Sequence, residues 1–168
     1  MKTVSVERIK FSFEEDWNVS KYDDWAYYKK KFQSIRNGVK AVDLIAMSSD
    51  KLLYLVEVKD YRAHIRTKPS ELSEDVTCKV FDTLAALLPA KCKALDCKES
   101  DFAKQALTSN GLRVILHIEQ PAKHSKLFPR AIDPSSVQIK LRQALRAVDP
   151  HAKVVHKNSQ ALPWRVNC

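Results

Sequence analysis

The sequence predicts an α/β protein in which a mixed central β-sheet is flanked by helices, and three observations predict it. Two apolar segments, residues 39–47 and 52–59, are separated by Ser48-Ser49-Asp50-Lys51, a polar stretch short enough for a hairpin loop. Val76, Val80, Leu84, Leu87 and Leu88 recur at helical spacing and form one stripe. A further helical segment runs through Asn110-Gly111 into residues 112–118, an almost unbroken apolar run of the kind that forms a buried strand after a crossover.

Residues 3–13 alternate well enough for a strand, with a bulge or break where the phase slips between Val6 and Ile9. Ser20 opens a helix, with Asp23 as its capping partner and Trp25, Tyr28, Phe32 and Ile35 on one side, and Asn37-Gly38 closes it. Ser73-Glu74-Asp75 opens the second helix and Pro89 ends or kinks it. The third spans residues 101–109, and the fourth spans 135–148 with Ser135 or Ser136 as its cap. Residues 153–156 and 164–166 are short terminal strands. Gly38 and Gly111, the only two glycines, each come after Asn at a helix-to-strand joint, where a left-handed backbone suits glycine.

A length of 168 residues suits a single domain, with its core at roughly residues 20–120 and a C-terminal helix and short strands in 121–168. No apolar run is long enough for a membrane span and residues 1–8 hold no signal core, so the expected setting is the cytoplasm, away from membranes. The spacing of Cys78, Cys92, Cys97 and Cys168 matches neither paired metal ligands nor a disulfide framework, which leaves free thiols. A net charge of +9 favours an anionic partner, nucleic acid first. The basic residues cluster at 29–31, at Arg62, His64, Arg66 and Lys68, at Lys123, His124, Lys126 and Arg130, and at Lys140, Arg142 and Arg146.

The informative charges are those inside the apolar runs. Glu57 and Lys59 share one face of their strand, and a hairpin register centred near residue 50 sets Asp43 opposite Glu57. Two opposed carboxylates repel unless a divalent cation lies between them. Magnesium fits, because it needs only one or two carboxylates from a protein. Asp96-Cys97-Lys98 repeats the acid-x-lysine letters in a polar stretch without strand flanks and is a decoy.

Asp43, then Glu57-x-Lys59 on the following strand, then a long helix, resembles the PD-(D/E)xK phosphodiesterase superfamily over roughly residues 20–120. The resemblance implies a restriction-endonuclease-like core and a magnesium-dependent endo- or exonuclease, with manganese as the alternative metal. It makes Asp43, Glu57 and Lys59 catalytic, and it makes Asp43, Glu57 and the Val58 carbonyl the metal contacts. The family's proline before the aspartate is Val42 here, and residues 21–35 hold no glutamate, so Asp24 stands in as the accessory acid. Arg62, His64, Arg66 and Lys68 are the expected substrate contacts. The expected partner is DNA before RNA, with a homodimer as an option, and the rival reading is a nucleic-acid-binding module or subunit without turnover.

Overall fold

The computed structural model describes residues 1–123, 126–127, 132–160 and 162–168. His124 and Arg130 of the third basic cluster lie outside the described residues.

Two sheets and a helical layer stack on one another. Strands β1 (Lys2–Val6), β2 (Ile9–Phe13) and β8 (Arg165–Asn167) form a small antiparallel sheet in the order β1-β2-β8. The central sheet has five strands in the order β3-β4-β5-β6-β7, with β3 Asn18–Lys21, β4 Leu44–Met47, β5 Leu52–Asp60, β6 Gly111–Glu119 and β7 Lys153–Val155. It is mixed: β3, β4 and β5 pair antiparallel, whereas β6 joins β5, and β7 joins β6, in parallel.

Alternation along β5 decides what each face of the central sheet meets. Leu53 and Leu55 enter one core with Val76, Val80, Leu87 and Ala90 of α1 (Leu72–Lys93) and Phe102 and Ala103 of α2 (Cys97–Ala106). Leu141 of α3 (Pro134–Ala144) completes that layer. Val56 and Val58 point the other way, into a second core with Phe11, Phe13, Trp17 and Trp164 from the small sheet and its approaches. Helices therefore cover one face and a second sheet covers the other, in place of helices on both.

Several local expectations are corrected. The slip between Val6 and Ile9 is a two-residue hairpin turn in which Glu7 takes a φ of 52°. Ser20 starts no helix: it pairs with Ile45 in β3, and its Oγ accepts a hydrogen bond from Trp25 Nε1 at 2.7 Å. Edge pairing with β4 takes the capping sequence into the sheet, leaving only a 3-10 turn at Tyr22–Asp24 and a π-helical turn at Tyr28–Phe32. Strand β4 begins at Leu44, not residue 39. Gly38 adopts a φ of 101°, a conformation costly for any other residue, but Gly111 does not. A Cβ at Gly111 would instead approach Leu52 Cδ2 to 3.1 Å. Pro89 lies within α1 rather than ending it, and Leu88 is 57% exposed rather than in the core stripe. The fourth helix is capped by Asp133, whose carboxylate accepts from the Ser135 and Ser136 amides. The four cysteines are free and exposed.

Candidate functional site

The β4–β5 hairpin has the register its sequence implies. Leu44 pairs with Val56 and Met47 with Leu53, so Asp43, one residue before β4, stands level with Glu57. The loop holds this register through Ser48, whose Oγ accepts from the Leu52 amide at 3.1 Å, and through Lys51, which turns at a φ of 61°. Asp43 is fixed at both ends: its carbonyl accepts from the Tyr22 amide at 3.0 Å, and its Oδ2 accepts from the Val58 amide at 2.7 Å. Val58 thus meets Asp43 through its N–H.

Glu57 lies 1% exposed on the helical face of β5. Its Oε1 accepts from Lys59 Nζ, two residues along the same face, and from Lys79 Nζ of α1 at 2.6 Å. Its Oε2 is buried without a hydrogen-bond partner, and so is Asp23 Oδ1. Burial first, and the Asp43 charge second, hold the Glu57 carboxyl above its ordinary value. The same two causes, with Asp24 third, raise Asp23. Burial would depress the Lys59 ammonium, but Glu57 and then Asp43 outweigh it and its pKa stands above the usual lysine value. All three shifts have one origin. Three carboxylates, Asp23, Asp43 and Glu57, are thus coupled to one another, with Lys59 and Lys79 on Glu57 and Lys21 and Lys29 offsetting part of the charge on Asp23.

Asp43 and Asp23 line a cleft of about 600 Å³ whose rim carries Lys29, Lys40, Lys68 and Lys79. Asp24 also lines it, but its carboxylate is engaged by Lys29 at 2.7 Å and Lys21 at 2.9 Å, in that order the causes of its lowered pKa. The acid coupled to Asp43 is therefore Asp23, which the sequence reading assigned to a helix cap. Among the described residues, no group of three or more His, Cys, Asp or Glu side chains is placed to hold a metal. A cation here would take two protein carboxylates and keep much of its water, as magnesium does.

Of the four expected substrate contacts, Lys68 alone lines the cleft. Arg62 is bound to Asp60 through Nε at 2.8 Å and Nη2 at 2.7 Å. Asp60 is one residue out of phase with Lys59 and so points to the opposite face, where Arg8 also reaches it at 3.4 Å. Arg66 is held by Asp75 at 2.7 Å, and His64 is exposed. Lys79 escaped the sequence reading because it is one polar residue within a helical stripe. Its signal is its position between Val76 and Val80, both buried against the sheet. The decoy at residues 96–98 is a helix start, in which Asp96 Oδ1 accepts from the Lys98 and Glu99 amides.

Among curated proteins, the chain is similar to a cysteine–tRNA ligase of Neisseria meningitidis serogroup A / serotype 4A (strain DSM 15465 / Z2491). The two are 34% identical over 163 residues, which covers 79% of this chain and 23% of the ligase. The chain thus spans about a quarter of the length of that relative. No family model matches the chain. No solved structure matches it either.

This similarity corrects the function expected from the acid–lysine pattern. The matched protein is named as a ligase, so the PD-(D/E)xK superfamily, a nuclease or other phosphodiester hydrolase, and DNA as its specific target are withdrawn. The physical reason for the misreading is that Glu-x-Lys on one face of a strand needs only β alternation and a favourable ion pair, both of which Glu57 and Lys59 satisfy without hydrolysis. No helix among the described residues is long and apolar enough to cross a membrane.

Proposed function

We propose that this chain is a tRNA-binding domain in which a magnesium ion at Asp43 and Glu57 helps to hold the RNA backbone. The observation that carries this reading is the cleft itself: Asp43 and the unpartnered Asp23 Oδ1 line it beneath a rim of lysines, and Glu57, level with Asp43 on the next strand, buries a second carboxylate oxygen without a partner. Carboxylates alone would repel RNA and lysines alone would bind any polyanion. Together they suit a cation-bridged phosphate flanked by ammonium groups. The kind of polyanion is taken from the relative, whose name specifies tRNA and which aligns over 79% of this chain. In this role Lys59 and Lys79 steady the Glu57 carboxylate, Asp23 adds to the negative field, and Lys40 and Lys68 meet phosphate. Ligation is not assigned to this chain, which matches only 23% of the ligase.

Fluorescence anisotropy with labelled tRNA, in magnesium or in EDTA, tests both halves. Wild type is expected to bind with steep salt dependence and several-fold more tightly in magnesium. Asp43→Asn combined with Glu57→Gln should remove the magnesium increment and leave the salt-dependent part. Failure to bind tRNA even at low salt would reject the RNA reading. An undiminished increment in the double variant would reject the cation site.

A further inference from the structure

Helix α1 is apolar on two sides. Val76, Val80, Leu87 and Ala90 face the sheet, and Cys78, Phe81, Ala85, Leu88 and Cys92 face solvent, with Leu95 just beyond the helix end. Phe81 is 46% exposed, Leu88 57% and Leu95 96%. These solvent-facing residues are spaced alternately by three and four, the repeat of a coiled-coil seam, whereas a helix facing only its own core needs a single stripe.

We propose that this stripe is the contact between two copies of the chain, packed with their α1 helices antiparallel about a two-fold axis. An isologous interface must fit itself. An axis passing between residues 86 and 87 sets Phe81 against the partner's Cys92 and Ala85 against the partner's Leu88, both within the helix. The axis repeats each pair, and every layer then joins a large side chain to a small one, so knobs find room without strain. The flanks agree: Asp82 lies on the same side of the seam as the partner's Pro89, and Leu84 on the same side as the partner's Lys91, so no like charges meet there. Antiparallel packing also opposes the two helix dipoles. A partner of unrelated sequence would have no reason to meet a stripe whose sizes are complementary to its own reverse. With one helix from each copy the contact is small for a specific interface, which suits a weak, reversible dimer.

Sedimentation velocity of the full chain under reducing conditions, across about 1 to 200 µM, reads the assembly. Wild type is expected to pass from monomer to dimer. Leu88→Glu should weaken the dimer at least tenfold while circular dichroism stays unchanged, because Leu88 is not part of the core. Ile139→Glu, at a 58% exposed position on α3, should leave the dimer intact. A monomer at every concentration, or a dimer indifferent to Leu88→Glu, would overturn the proposal.

Discussion

Glu57 is held in a place that an isolated carboxylate would avoid, with one oxygen on two ammonium groups and the other buried without a partner. Its pKa in the fold stands above the unfolded value, chiefly through burial and then through Asp43. Such a group stabilises the fold fully below the ordinary carboxylate range, and the contribution is lost as pH rises through the raised value. Asp23 acts with the same sign. A bound divalent cation competes with those protons, so its stabilising effect should grow in the opposite direction. Thermal unfolding with and without magnesium should show a rise in Tm that is larger at about pH 8 than at about pH 5 and absent in Glu57→Gln. A rise of equal size at both pH values would show that these carboxylates are not where the ion binds.

At the scale of elements, an identical letter pattern yields two different structures. Glu57-Val58-Lys59 lies in a strand because Leu52–Val56 carry apolar side chains to both faces, and Asp96-Cys97-Lys98 begins a helix because the Asp96 carboxylate caps the first turn of α2. Asp96→Ala should cost about 1 kcal/mol, read from the urea midpoint, and an unchanged midpoint would show that the cap contributes nothing. The hairpin register was legible because polar loop residues and flanking apolar runs fix it between them. The segment after Ser20 was not, because its helical spacing of aromatics competes with pairing of Ser20 to Ile45, which depends on a strand more than twenty residues away. Asp23 was misassigned for the same reason. Once Ser20 belongs to the sheet, Asp23 has no helix to cap and turns toward Asp43.

Across the whole molecule, two cores share the central sheet. The helical core was visible in the α1 stripe, but the second core was hidden because it joins the two ends of the chain. Strand β8 pairs with β2, bringing Arg165 level with Ser12, and Trp164 packs against Phe13 at 5.2 Å between ring centroids. No local pattern announces such a contact.

The parallel pairing of β5 with β6 has a consequence for the order of folding. The hairpin carrying Asp43 and Glu57 closes over a four-residue loop, whereas Leu52 must find Gly111 across the whole of α1 and α2. The longer closure costs roughly 2 kcal/mol more in chain entropy. The two carboxylates should therefore meet while still in water, and Glu57 should lose its hydration only when α1 docks and brings Lys79 with it. Pulsed hydrogen exchange during refolding should find the β4–β5 amides protected before those of β6. Simultaneous protection of all three strands would mean that charge burial and sheet assembly are a single event.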